Sequence, residues 1–217
     1  MFCPDVLKGQ RILVTGGGTG LGRAMSERLL ELGAQVHICG RRGSVLEEAA
    51  EERPDDAAVY LALEVLAGKT GDGELRARSL GSRAEHCQHP AWRSLLLIDA
   101  AEMALADGDT DGALERIERA IQQKGEATFT ALVALETVGR RAERFDVVAR
   151  ALEAQAALLL RGASDADTAD ALGVPRHART AAHAADAWLR AADAHRRRGE
   201  VGDAAALLDQ ALSRVEN

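Results

Sequence analysis

Cysteine and aromatic residues are few in this chain of 217 residues, and it has no excess of positive charge. The three cysteines, Cys3, Cys39 and Cys87, are an odd number without the spacing of a disulfide framework, so we expect a reducing, cytoplasmic location. Lys and Arg number 27 against 34 Asp and Glu, and the formal charge of -7 gives no general attraction for nucleic acid or anionic lipid. No stretch approaches the roughly 18 apolar residues of a membrane helix. We therefore expect neither nucleic acid nor a membrane as a partner, and the 3% aromatic content favours helices packed through Ala, Leu and Val.

The composition of the chain changes near residue 53. Nine of the 21 glycines precede Arg53, whereas most of the alanines follow it. Pro54 stands at the change, and proline suits the first turn of a new helix. We therefore predict two domains, 1–53 and 54–217.

The first domain has the pattern of alternating strands and helices. Residues 10–14 and 35–39 are short apolar runs typical of buried strands, and residues 20–32 have helical apolar spacing. Gly33 is placed to end that helix, and Ser44 is placed to begin another. The predicted order is β-α-β-α.

A glycine-rich loop, Thr15-Gly16-Gly17-Gly18-Thr19-Gly20-Leu21-Gly22, joins the first strand to the first helix. Glycine there permits a tight turn, close approach of the backbone to a pyrophosphate, and close packing of helix on strand. The N–H groups at the helix start favour an anion. A strand before the loop and a helix and strand after it favour a dinucleotide site over a purely structural turn.

These residues resemble the cofactor loop of the short-chain dehydrogenase/reductase family, and residues 8–42 look most like its dienoyl-CoA-reductase-like branch. The resemblance implies a set of residues that line the cofactor phosphates: Gly16, Thr19, Gly20, Leu21 and Gly22. It also implies that Arg41 and Arg42 lie at the adenosine ribose, where arginines favour the 2′-phosphate of NADP over NAD. The alternative for the arginine pair is a solvated turn.

The catalytic residues of that family are missing from this sequence. Its chemistry needs a Tyr with a Lys four residues later, together with a Ser and an Asn. The only Tyr is Tyr60, which is followed by Glu64, and the only Asn is Asn217. Apolar runs for further parallel strands are also missing after residue 52. We therefore predict a truncated Rossmann βαβ segment with no catalytic residues, weak or vestigial NADP binding and no catalysis by this chain alone.

The second domain repeats a spacing of small and large residues. The first set is Leu97, Ala101, Ala104, Gly108, Ala113, Ile117 and Ala120. The same spacing recurs 91 residues later, at Trp188, Ala192, His195, Gly199, Ala204, Leu208 and Ala211. Small residues let two antiparallel helices approach closely, and this part resembles tetratricopeptide repeat proteins. The resemblance implies an all-α helical-repeat solenoid.

Two further helix pairs match this spacing less closely. One lies at 131–157, around residues 143–146, and the other at 57–83, around residues 71–73. Residues 162–179 are irregular and predict a loop with a short helix. His195 occupies a core position of the repeat, and the group at residues 86–89 lacks a distant Cys/His pair, so we assign no metal site.

Two functions from different classes remain open. The first is a helical-repeat scaffold that binds a protein or peptide in its groove and carries a truncated NADP-binding segment. The alternative is an NADP-dependent oxidoreductase of the short-chain type, or a remnant of one that another chain completes. The junction near Pro54 is compatible with a natural fusion, an assembly artefact or an engineered chimera.

Overall fold

The computed structural model describes residues 5–17, 20–39, 44, 47–48 and 57–215. Two short parallel strands lie near the N-terminus, and nearly all of the regular structure that follows is helical. The expected domain boundary near residue 53 lies outside the described residues. The described chain divides into two compact units, Met1–Ser79 and Leu80–Asn217.

The first unit begins with a βαβ element. Strand β1 (Arg11–Thr15) pairs in parallel with β2 (Gln35–Cys39), and helix α1 (Gly20–Glu31) connects them. Gly33 ends the helical run with φ of 89°, and the following N–H of Ala34 donates to the carbonyl of Leu29. The predicted strands, connecting helix and stop signal are therefore confirmed. The helix predicted to begin at Ser44 lies mostly outside the described residues.

Helix α1 covers one face of this small sheet. Ile38 contacts the loop that leads into α1, and its pair Val14 shares that face because side chains alternate along a strand. On the opposite face Leu13 is largely exposed. The described part of the sheet thus has one covered and one uncovered face.

Helix α2 (Ala57–Thr70) is joined to α3 (Gly73–His86) by a short turn. Leu75 packs against Leu63 and Ala67 across the turn. The turn itself contains Gly71 with φ of 75°, and the N–H of Asp72 donates to the carbonyl of Ala67. This helix pair, predicted at 57–83, is confirmed. Residue 79, at the division between the two units, lies within α3.

The described residues of the second unit contain three helical hairpins. Their members are α4 (Pro90–Ala106) with α5 (Thr110–Gln122), α6 (Thr128–Arg141) with α7 (Phe145–Ser164), and α9 (Ala181–Arg197) with α10 (Val201–Val215). A six-residue helix, α8 (Ala166–Ala171), and a 3-10 turn at Arg176–Ala178 lie between the last two pairs. All the helix pairs predicted in this region are confirmed, and so is the short helix within 162–179. The resemblance to tetratricopeptide repeats stays a prediction.

The three hairpins turn in the same way. Gly108, Glu143 and Gly199 each have a positive φ, of 84°, 55° and 81°. The N–H after each of these residues donates to the carbonyl five residues before it, which is the Schellman arrangement.

In the described part of the chain, no helix is both long and apolar enough to cross a membrane.

Candidate functional site

The glycine-rich loop follows the carboxyl end of β1 and leads into α1. Gly16 and Gly20 have φ of 74° and 55°, a region that glycine adopts at little cost. A Cβ added at either position would meet no atom within 4 Å. The two positive-φ glycines of the loop are therefore also uncovered, so a ligand could approach their backbone.

Two other glycines of the loop are tightly enclosed. A Cβ at Gly22 would overlap the carbonyl oxygen of Gly16, and a Cβ at Gly17 would lie 2.5 Å from Cγ2 of Ile38. Ser26, which is buried, donates its hydroxyl to the carbonyl of Gly22 at 2.9 Å. These contacts hold the first turn of α1 against the loop and the sheet.

This arrangement can bind an anion. The first N–H groups of a helix have no partner within the helix and carry a partial positive charge. The structure brings Gly16, Gly20, Leu21 and Gly22 together at the start of α1, and the Leu21 side chain is exposed. Thr19, Arg41 and Arg42, the other predicted site residues, lie outside the described residues.

The single tyrosine does not lie in this loop. Tyr60 is on α2 and packs in an apolar cluster with Leu63, Ala67 and Leu75. Four residues later on the same helix stands Glu64, where the family pattern requires a lysine. The structure thus places Tyr60 among packing residues.

A polar cluster that sequence reasoning missed joins three helices of the second unit. The buried carboxylate of Glu136 on α6 accepts from Arg140 at 2.9 Å, from Gln155 of α7 at 3.1 Å, and from Arg190 of α9. Burial opposes ionisation, but these hydrogen bonds outweigh it and hold the pKa of Glu136 below its ordinary value. Because Arg190 lies 54 residues from Glu136, no local pattern could reveal the pair.

A second polar cluster surrounds His195 on α9. Its Nε2 lies 2.8 Å from Glu153 of α7, and its Nδ1 lies 2.7 Å from Glu200, at the turn into α10. Partial burial opposes protonation, but the two carboxylates outweigh it and raise the pKa of His195. His195 was expected only to pack in the core. Its side chain is 13% exposed and also links two hairpins through polar bonds.

The same histidine belongs to a group that could hold a metal ion. Ligand atoms of His195, Glu200 and Asp203 lie within 4.8 Å of one another. Both ring nitrogens of His195 are already engaged with carboxylates, and Arg198 pairs with Glu200 at 2.7 Å. Two of the three residues, His195 and Glu200, are thus already engaged by protein groups, and we assign no metal to the site.

Comparison with known proteins finds relatives for the N-terminal region. Residues 10–70 match the short chain dehydrogenase family. A peroxisomal 2,4-dienoyl-CoA reductase of Arabidopsis thaliana is 48% identical over 48 residues, which are 22% of this chain and 16% of that protein. A probable 2,4-dienoyl-CoA reductase of Caenorhabditis elegans is 54% identical over 46 residues, or 21% of this chain and 15% of that protein. A hydroxysteroid 11-beta-dehydrogenase 1-like protein of Danio rerio is 45% identical over 51 residues, or 24% and 18%.

These matches confirm the expected resemblance for the N-terminal segment. The chain spans about a sixth of the length of the curated relatives it matches. The matched residues include β1, the glycine-rich loop, α1 and β2. Residues 10–70 are therefore similar to part of the short-chain dehydrogenase family.

Proposed function

We propose that this chain binds a nicotinamide dinucleotide through the loop between β1 and α1. This proposal is supported most directly by the contact of Gly22 with the Gly16 carbonyl. The contact leaves no room for a side chain at Gly22, so the first turn of α1 packs directly on the loop. Gly16 and Gly20 leave the outer backbone uncovered. The described residues therefore fit a pyrophosphate, which needs close approach to backbone N–H groups.

The residues that would hold the cofactor are Gly16, Thr19, Gly20, Leu21 and Gly22 for the phosphates. Arg41 and Arg42 would hold the adenosine ribose. Neither neighbour of this pair, Gly40 or Gly43, offers a carboxylate to the 2′-hydroxyl of NAD. We therefore propose a preference for NADP over NAD.

The proposed role is that of an NADP-dependent oxidoreductase whose catalytic groups lie outside these 217 residues. The bound cofactor would supply hydride transfer. The 217 residues contain no Tyr with a Lys four positions later, so proton transfer would need residues from elsewhere.

Calorimetry with NADPH tests whether the loop binds the cofactor. Gly22→Ala should weaken binding about tenfold or more, because the added Cβ displaces the Gly16 carbonyl that shapes the loop. Gly68→Ala is the matched control, since its Cβ on α2 meets nothing within 4 Å and alanine favours a helix. Equal affinities for the two variants, or no heat at millimolar NADPH, would refute the proposal.

The preference for NADP is tested with Arg41→Ala and both cofactors. A charge-assisted bond to the 2′-phosphate contributes about 1.5–3 kcal/mol, or roughly tenfold to a hundredfold in affinity. The substitution should therefore weaken NADPH binding by that factor and leave NADH binding unchanged. An unmodified chain that binds NADH as tightly as NADPH would contradict the argument from the arginines.

The second candidate function is that of a helical-repeat scaffold for a protein partner. Its supporting observation is the shared turn of the three hairpins in the second unit, with a positive φ at the same position in each. Within residues 97–104, the part of α4 that carries the repeat spacing, Asp99 and Glu102 alone are exposed. Trp92, earlier on α4, is a large exposed side chain and a better contact residue.

Capture experiments on the full chain test the scaffold function. A specific partner should be lost with Trp92→Ala, which removes exposed apolar area on the first helix of a hairpin. It should be retained with Glu115→Ala, an exposed change on the second helix of that hairpin. If neither substitution reduces capture of the partner, Trp92 does not belong to the proposed binding surface.

A further inference from the structure

Helix α10 has a second apolar face that the described chain leaves exposed. One face packs through Ala204 and Ala211, which are buried. Beside it lie Val201, Leu208 and Leu212, with exposed fractions of 70%, 42% and 58%. Separations of seven and four residues place these three side chains on one stripe of the helix. We call this stripe the α10 face.

Two of these three positions, those of Leu208 and Leu212, are covered in the other two hairpins of the second unit. Counted from the positive-φ residue of each turn, Leu208 corresponds to Ile117 of α5 and Leu152 of α7. Both of these side chains are 0% exposed. Leu212 corresponds in the same way to Ile121, which is partly buried, and to Ala156, which is fully buried.

In each case the first helix of the following hairpin provides the cover. Ile117 clusters with Leu135 and Val138 of α6. Leu152 clusters with Ala191 and Ala194 of α9. The α10 face thus has the composition of a surface that packs against a helix.

The acidic residue beside each of the two covered faces pairs with a basic residue of the following hairpin. Glu118 of α5 pairs at 2.5 Å with Arg150, which lies on the second helix of that hairpin, α7. Glu153 of α7 pairs at 2.8 Å with His195, which lies on the covering helix itself, α9. The corresponding residue of α10 is Asp209. Within the described residues Asp209 makes no ion pair.

We propose that the α10 face binds an amphipathic helix of a partner protein that carries a basic residue opposite Asp209. The occupant is defined by an apolar stripe rich in small residues, as on α9, and by that basic residue. A second copy of α10 does not meet the requirement. Its single base, Arg214, stands two residues after Leu212 and therefore on the opposite side of the helix.

This inference deepens the scaffold function and rests on it. Its probe is a synthetic peptide of residues 181–198, because α9 covers the equivalent face of α7 and carries His195 opposite Glu153. Fluorescence anisotropy of the labelled peptide against the full chain should show saturable binding. Leu212→Asp should weaken it about tenfold or more, because a charge would be desolvated in the contact.

Two further variants test the charge and the location. Asp209→Asn should weaken peptide binding at low salt and reduce its salt dependence, because it removes an ionic partner. Gln210→Asp is the matched control, since it adds the same charge as Leu212→Asp on the polar side of α10 and should leave affinity unchanged. Circular dichroism should show the same helicity in all variants, since each altered side chain is exposed.

Three results would overturn the inference. They are no binding at millimolar peptide, equal loss with Leu212→Asp and Gln210→Asp, and self-association of the unmodified chain that Leu212→Asp abolishes. The last result would assign the face to a second copy. If peptide binding fails while a Trp92-dependent partner is still captured, the scaffold function survives and only the α10 face is refuted.

Discussion

Replacing Glu143 by glycine should stabilise the chain. Glu143 occupies the turn position that is glycine in the neighbouring hairpins, at Gly108 and Gly199, and all three have a positive φ. A side chain in this left-handed region costs roughly 1–2 kcal/mol. Removing the side chain relieves this cost, but glycine also has more conformational freedom in the unfolded chain, which offsets about 0.5–1 kcal/mol of the stabilisation. The expected net stabilisation is about 1 kcal/mol, or a rise of roughly 2–4 °C in Tm for a chain of this size.

Urea unfolding followed by circular dichroism measures this effect. Glu143→Ala should give no comparable gain, because alanine keeps the same backbone strain. The reverse change, Gly108→Ala, should cost about 1 kcal/mol. A Cβ at Gly108 meets nothing within 4 Å, so that loss reports conformation alone. A Glu143→Gly variant no more stable than Glu143→Ala would refute the assignment of strain to this turn.

Three further changes are predicted from the second unit. Leu152→Ala should cost about 2–5 kcal/mol in urea unfolding, whereas Leu208→Ala, at the equivalent exposed position, should cost less than about 1 kcal/mol; similar losses would contradict their difference in burial. Glu136→Gln should cost about 1–3 kcal/mol at pH 7, because two half-exposed arginines lose their buried carboxylate. Since the folded pKa of Glu136 is lowered, the wild type should lose the stability that ionised Glu136 contributes as pH falls below the unfolded pKa of about 4.3. A Glu136→Gln variant that loses as much stability in acid as the wild type would argue against this role of Glu136. His195→Gln should cost about 1 kcal/mol below about pH 6.5, and the difference should vanish as pH rises through the raised folded pKa. His177→Gln, on an exposed turn, is the control, and an equal pH dependence in both variants would exclude His195 as the source.

Local sequence predicted the βαβ element closely. The apolar runs at 10–14 and 35–39 correspond to β1 and β2, and Gly33 ends the intervening helical run as expected. These features depend on residues near one another in the chain. Strand propensity, helical apolar spacing and the conformational freedom of glycine are all expressed within a few residues.

Helix pairing was also predictable, but not every turn residue was. The repeated spacing around Gly108 and Gly199 located two hairpins, and the looser match at 131–157 located a third. That third turn places Glu143 where glycine is expected. The packing of the flanking helices imposes the turn, so the turn forms there although the sequence lacks the glycine that would predict it.

Long-range partners were beyond the reach of sequence reasoning. The bonds from Glu136 to Arg190 and from Glu153 to His195 span 54 and 42 residues, and both depend on which helices face each other. The exposure of Leu208 could not be distinguished from the burial of Ile117, because both residues fit the same repeat spacing. Sequence by itself determined the helices, the strands and the glycine-rich loop, because backbone preference and apolar periodicity act locally. Only the tertiary structure decided which apolar faces are covered and which charges meet, because those depend on how distant segments pack.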